Sequence, residues 1–202
     1  MDGLVNYRIA HPERTSVIVT ALEQELPNFW GGPVLFTGVG KVRAASELAR
    51  YLALNPDIDT VINYGTAGGI KGVTKGHIYP VNRFIESDFR SCAVNLPHKD
   101  IIEVDTWLDS EHFCCSTQDH FVTDPTELDD APFGDQVNLV DMESYALAFV
   151  CLQHGVGFKC YKYVSDDADS NAADEWVENV HGGEDQFMEM LIKHHDYELF
   201  DS

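Results

Sequence analysis

The order of elements along the chain predicts an α/β domain built on a central mixed, mostly parallel twisted sheet flanked by helices. Three observations predict it. Short runs of β-branched and apolar residues recur, the pattern of strands buried on both faces. Several of these runs stop at a glycine or acidic cluster. Stretches whose apolar residues return at helical spacing stand between them, so that strand, loop and helix repeat.

Residues 16–22 (SVIVTAL) form the first such run and stop at Glu23, Gln24 and Glu25. Residues 33–37 (PVLFT) form the second and lead into Gly38, Val39, Gly40 and Lys41. From there Val42, Ala45, Leu48, Ala49 and Leu52 share one helical face. After the break at Asn55, Pro56 and Asp57, residues 60–64 (TVINY) read as a strand running into a glycine loop, Gly65, Thr66, Ala67, Gly68 and Gly69. Residues 138–140 precede a helix from Met142 to about His154. Residues 157–164 (GFKCYKYV) read as a strand ending at Ser165 and Asp166. One last long helix is expected over residues 174–195, with Trp176, Val180, Phe187, Met190 and Leu191 at amphipathic spacing. Residues 1–15 read as a loose arm or a short added strand, without the basic-then-apolar order of a secretory leader. No repeat or low-complexity linker divides the chain, so residues 1–202 are expected as one domain.

The bulk properties narrow the function classes. At 202 residues and 44% hydrophobic, the chain can bury a core of its own. Its 34 acidic against 13 basic residues give a net charge of −21, which repels a polyanion, so no nucleic-acid partner is expected. No apolar run reaches membrane-spanning length, so no membrane partner is expected either. The five cysteines (Cys92, Cys114, Cys115, Cys151 and Cys160) are odd in number and lack CxxC spacing, as reduced thiols of a cytoplasmic protein would be. The adjacent Cys114 and Cys115 are read as buried small hydrophobes. His194 and His195 are adjacent, which points them to different sides of a helix, and no metal is expected.

In open α/β sheets, ligands bind beyond the carboxyl ends of the strands. The clusters at Glu23 to Glu25, Gly38 to Gly40, Gly65 to Gly69 and Ser165 to Asp166 are therefore expected to converge on one pocket. Neither glycine segment is a GxGxxG or GxxxxGK[ST] fingerprint, and a tight turn explains either about as well as a binding loop. Asp141, Met142 and Glu143 read first as a simple helix start, with a carboxylate that grips two vicinal sugar hydroxyls as the lesser alternative. Asp166 fits an N-cap or turn residue, and equally a general acid kept protonated by burial or neighbouring carboxylates.

Five ordered motifs choose between these readings. ALEQEL (21–26), TGVGKVRAA (37–45), INYGTAGGI (62–70), VDMESYALA (140–148) and YVSDDAD (163–169) together closely resemble the purine nucleoside phosphorylase superfamily. Within it they look most like the methylthioadenosine/S-adenosylhomocysteine nucleosidases, whose motifs read AMEEEV, SGIGKV, NTGSAGG, VEMEA and ISDxAD. The resemblance implies a nucleoside phosphorylase-like fold, an adenine nucleoside as the small-molecule substrate, no cofactor, and a homodimer whose subunits complete each other's pockets.

It also implies roles for particular residues. Asp166 falls on the acid that protonates N7 of the leaving adenine, and Ser165 on the residue that orients it. Glu25 falls on the general base that positions water. Glu143 matches the acid on the ribose 2′- and 3′-hydroxyls, with Met142 against the sugar. Phe121 resembles the aromatic that stacks on the purine, and Val122 would offer its backbone to the base edge. Leu22, Val39, Thr66, Ala67 and Gly68 fall on pocket-wall positions. Lys162 stands where the family often has arginine, placed to assist Asp166 as a point charge. The segment between Leu26 and Val34 is short where relatives carry a hairpin. Over residues 84–101, which in dimeric relatives reach a neighbour's 5′ pocket, Phe89 and Cys92 sit near expected apolar positions.

The family's phosphorylases hold phosphate with arginine near the position of Asn63, and a dianion beside Glu25 would be repelled, so water is the expected nucleophile. A phosphate-dependent purine nucleoside phosphorylase is the alternative. A non-catalytic nucleoside-binding protein is the second, and the presence of Glu25, Glu143 and Asp166 argues against it.

Overall fold

A mixed sheet of eight strands organises the structure, and five of its strands close into a ring. The computed structural model describes residues 8–10, 16–29, 32–89, 101–104, 113–129, 133–195 and 197–200. Among them the chain runs β1 (Arg8–Ala10), β2 (Ser16–Thr20), β3 (Val34–Phe36), α1 (Lys41–Leu54), β4 (Thr60–Gly69), β5 (Ile78–Glu86), β6 (Ile101–Glu103) and β7 (Phe113–Thr117). It continues through β8 (Leu139–Asp141), α2 (Ser144–His154), β9 (Gly157–Asp166), α3 (Ala172–Asn179), α4 (Glu184–His194) and β10 (Glu198–Phe200).

The ring runs β4–β8–β7–β5–β9 and back to β4, with β2 and β3 extending from β4 and β6 attached to β5. The pairs β2–β3, β2–β4, β4–β9, β5–β7 and β7–β8 are parallel, whereas β4–β8, β5–β6 and β5–β9 are antiparallel. The sheet is thus mixed and mostly parallel, as the sequence predicts. β1 and β10 form a separate antiparallel pair, so residues 8–10 of the expected arm take the added-strand form. The rest of residues 1–15 lies outside the described residues.

Alternation along the strands sets the layers, because successive side chains point to opposite faces. Val17, Val19, Val61 and Cys160 pack with Leu48 and Leu52 of α1 and with Leu147 and Cys151 of α2. Their neighbours Ile18, Ile62 and Tyr161 face the other way, onto Phe187 and Leu191 of α4. Phe187 is fully buried and stacks on Tyr64 at 4.5 Å between ring centroids. Emptying such a position typically costs about 3–5 kcal/mol. Cys114, Cys115, Cys151 and Cys160 are free and buried, as expected, and Cys92 lies outside the described residues.

Two of the expectations fail at glycines. Gly65 to Gly69 is not a loop: β4 runs on to Gly69, paired with β9 on one side and β8 on the other. The single helix expected over residues 174–195 is two helices, α3 and α4, separated by a turn at Gly182 and Gly183. A Cβ on Gly183 would collide with the Tyr163 ring and the Tyr64 hydroxyl. The chain therefore passes so close to these tyrosines that only glycine fits at the turn between the two helices.

Candidate active site

The pocket opens where strand ends meet. β2 delivers Ala21 and Leu22, the turn after it Glu25, and the loop after β3 Val39. β4 supplies Thr66, Ala67 and Gly68; the loop after β7 supplies His120, Phe121 and Val122; β8 and the turn after it supply Val140 to Glu143. β9 supplies Ser165 and Asp166, and α3 supplies Trp176. The clusters expected to converge do converge.

Glu25 sits in a short 3-10 turn, Glu23–Glu25, that folds its carboxylate back onto the end of β2. Its Oε2 accepts hydrogen bonds from the Thr20 hydroxyl (2.6 Å) and from the backbone N–H groups of Ala21 (3.1 Å) and Leu22 (3.0 Å). Its Oε1 accepts from the Thr66 N–H (2.8 Å) and the Thr66 hydroxyl (3.0 Å). A carboxyl group with only 3% exposure is thereby hydrogen-bonded through both oxygens and held in one orientation.

Asp166 ends β9, where a register shift against β4 pairs Ala67 with Val164 but Gly68 with Asp166. Ser165 is the extra residue of this bulge, and a bulge re-aims the side chains beside it. Asp166 Oδ2 accepts from the Ser165 hydroxyl at 2.8 Å and Oδ1 from the Ala168 N–H at 3.0 Å. Ala168 holds that N–H in place at φ +50°, a conformation non-glycine residues rarely adopt. Burial pushes the Asp166 carboxyl above its ordinary value, and the charges of Glu175 and Asp167 push the same way. A Cβ on Gly68 would lie 2.9 Å from Asp166 Oδ1, so the glycine makes room for the acid.

Glu143 is the N-cap of α2, which begins at Ser144 and not at the expected Met142. Its Oε1 accepts the N–H of Gly40 at 2.8 Å, tying the first glycine segment to the pocket. Burial, and then the charge of Asp141, push its carboxyl up. Met142 lines the same wall. Phe121 is 40% exposed at the mouth, offering a ring face, whereas Val122 beside it is buried.

Lys162 departs from expectation. Its ammonium lies 2.8 Å from Asp141 Oδ2, at 1% exposure, and it is not among the residues lining the pocket. Asp141 is the stronger draw: it also accepts from the Thr117 hydroxyl (2.6 Å) and the Ser144 N–H (2.8 Å). Burial alone would raise the Asp141 carboxyl, but Lys162 and these donors hold it below its ordinary value. Burial likewise opposes the Lys162 charge, and Asp141 more than offsets it. Lys162 is therefore paired with Asp141 behind the pocket lining and not with Asp166. Five other lining residues were not singled out as site residues from the sequence: Ala21, His120, Val140, Asp141 and Trp176. Of these Ala21, Val140 and Asp141 had a signal, their place in the ALEQEL and VDMESYALA motifs, whereas His120 and Trp176 had none.

Comparison with known proteins bears on family and fold. The family model described as the phosphorylase superfamily matches residues 28–194, which include every pocket residue from Val39 to Trp176. A 5′-methylthioadenosine/S-adenosylhomocysteine nucleosidase of Exiguobacterium sp. is 29% identical over 176 residues, 73% of each chain. The crystal structure of the Streptococcus pneumoniae MTA/SAH nucleosidase in complex with 8-aminoadenine superposes with a TM-score of 0.74 at 20% identity, covering 88% of this chain and 96% of that one. The structure of a futalosine hydrolase mutant of Helicobacter pylori superposes at 0.76 with 16% identity, covering 90% and 99%. The structural likenesses establish the shared fold, and the family model, which spans most of the sequence, establishes kinship: this chain belongs to the phosphorylase superfamily.

Proposed function

We propose that this protein hydrolyses the N-glycosidic bond of an adenine nucleoside of the methylthioadenosine/S-adenosylhomocysteine type, releasing adenine and the ribose moiety. The observation that carries the reading is the placement of Glu25 and Asp166 in one pocket with different surroundings. Both oxygens of Glu25 are held by hydrogen-bond donors from Thr20, Ala21, Leu22 and Thr66, whereas burial favours the protonated form of Asp166. Two carboxyl groups in different environments divide the work of base and acid.

In this reading water, oriented by Glu25, attacks C1′ as the C1′–N9 bond breaks. The bonding pair leaves with adenine, which takes the Asp166 proton at N7, and Glu25 takes the proton of the water. Glu143 holds the ribose hydroxyls, Met142 packs on the sugar, and Phe121 stacks on the purine with the Val122 backbone at its edge. Ser165 orients Asp166, while Leu22, Val39, Thr66, Ala67 and Gly68 form the walls. The oxocarbenium-like sugar is favoured by the surrounding carboxylates.

Water is favoured over phosphate because no Lys or Arg is among the described residues lining the pocket. The Asn63 amide, moreover, is engaged by the carbonyls of Val19 (2.9 Å) and Tyr64 (3.1 Å). We further propose a cytoplasmic homodimer. The four described cysteines, all free thiols, support the compartment. The exposed Val42, Phe149 and Leu152 on the mutually packed α1 and α2 support a partner surface.

The test is adenine release from methylthioadenosine, S-adenosylhomocysteine, adenosine and deoxyadenosine, with and without phosphate. Release is expected to be independent of phosphate and to fall at least about a hundredfold in Asp166→Asn. Because the Asp166 carboxyl is raised, its acid form is lost as pH rises, and the wild-type rate falls on the alkaline side. The same sign applies to stability: a raised carboxyl costs folding energy once ionised, so Asp166→Asn melts higher than wild type at alkaline pH. Release that requires phosphate would overturn the hydrolase.

A further inference from the structure

We infer that Trp176, which lies outside all five motifs, is a positioning residue that fixes the orientation of the Glu25 carboxylate through the Thr66 hydroxyl. The inference rests on the hydrolase reading for its catalytic meaning and on geometry for the linkage itself.

The indole Nε1–H of Trp176 donates to Thr66 Oγ1 at 2.9 Å, and that hydroxyl lies 3.0 Å from Glu25 Oε1. A hydroxyl has a single proton. With the indole N–H occupying one lone pair, the Thr66 proton is directed onto Glu25. The two oxygens of Glu25 are held unequally. Oε2 has three donors from the end of β2, whereas both donors on Oε1 come from Thr66. Control of the Thr66 rotor is therefore control of one of the two hydrogen bonds on the oxygen of Glu25 that β2 does not hold, the Thr66 N–H supplying the other.

The element carrying Trp176 makes this a connection between the two catalytic groups. α3 buries little of its own surface, Ala172 being its one buried residue, so its place is set by polar ties. Asn179 donates to the Ser165 carbonyl at 3.0 Å, beside the acid. Lys75 bridges Asp167 (2.8 Å) and Glu175 (2.6 Å), closing the segment that leads from Asp166 into α3. Trp176 then reaches back to the base. One short helix thus ties the backbone next to Asp166 to the hydrogen-bond shell of Glu25.

The experiment is a double-mutant cycle on adenine release, with Trp176→Phe, Thr66→Val and their combination. Trp176→Phe is expected to lower kcat about fivefold with KM changed less than about twofold, the size of one hydrogen bond that matters at the transition state. In the Thr66→Val background the same change should have no further effect, and Thr66→Ser should retain its sensitivity to it. Equal losses in both backgrounds would mean that Trp176 acts only by packing, and would overturn the inference. Activity is not the only readout. The Trp176 indole N–H resonance, assigned by its absence in Trp176→Phe, should shift in Thr66→Val and in Glu25→Gln. A resonance unmoved by both substitutions would overturn the linkage even in folded protein. A wild type that releases no adenine would overturn the hydrolase instead, leaving the resonance to decide the linkage.

Discussion

Gly38 to Lys41 and Gly65 to Gly69 look alike in sequence, both glycine-rich and both following an apolar run, yet they use glycine for different reasons. In the first, Gly38 (φ +77°) and Gly40 (φ +96°) adopt backbone conformations that L side chains rarely adopt. That turn aims the Gly40 N–H at Glu143. In the second, the backbone is an ordinary strand and the glycines provide space: Gly65 for Lys162 and Glu25, Gly68 for Asp166. One segment needs glycine for its torsion angles, the other for its missing Cβ. Glycine near a catalytic group is thus not by itself a sign of a phosphate-cradling loop.

Substitution by alanine separates the two uses. The largest effect is expected at Gly68→Ala, where the new methyl meets Asp166 Oδ1 at 2.9 Å and Ala168 Cβ at 3.0 Å. Displacing the acid should lower kcat by about a hundredfold or more, because catalysis is sensitive to shifts of about 1 Å. Steady-state rates showing near-wild-type kcat would break the distinction. Gly40→Ala is expected to be milder. Its methyl meets only Asp119 Oδ1 at 3.3 Å, but the torsion is strained and the Glu143 contact weakens. Its signature should be a KM raised about tenfold with a smaller change in kcat, since a ground-state sugar contact is lost. The smallest effect belongs to Gly76→Ala, at φ +84° with open space around the Cβ. A thermal melt should show a loss of about 1 kcal/mol from torsion alone, with adenine release unchanged.

These same residues show what the sequence reveals and what it hides. The runs at β2, β4 and β9 were legible because buried strands need continuous apolar, β-branched residues. Glu25, Glu143 and Asp166 were legible because they stand in ordered motifs. The continuation of β4 through Gly65 to Gly69 was not, since its strand character comes from pairing with β8 and β9 and not from side-chain propensity. The break between α3 and α4 was hidden for a related reason. The amphipathic spacing runs across it, and the close approach of Tyr163 and Tyr64 that requires glycine at 183 is a long-range contact the spacing does not show. Lys162 was placed with the wrong carboxylate because spacing along β9 does not show that Asp141 meets it across the ring. Trp176 read as a helix face residue, which it is, but its indole N–H finds a partner 110 positions earlier in the chain.

The closed ring of strands has a consequence for how the protein is made. β4 emerges from the ribosome early, but its partner over nine register positions, β9, is encoded about a hundred residues later. Contacts of such sequence separation carry a large loop-closure entropy and form slowly. Until residues 157–166 arrive, β4 lacks the partner on one of its sides, and β5 lacks β9 as well. Such unpaired edges are where aggregation begins during synthesis. Asp166 is the last residue of the strand that closes the ring, so the acid reaches the pocket only when the barrel shuts. On the proposed hydrolase reading, a partly folded chain that has not yet paired β9 lacks the group assigned as its proton donor, so activity would appear only with completion of the fold.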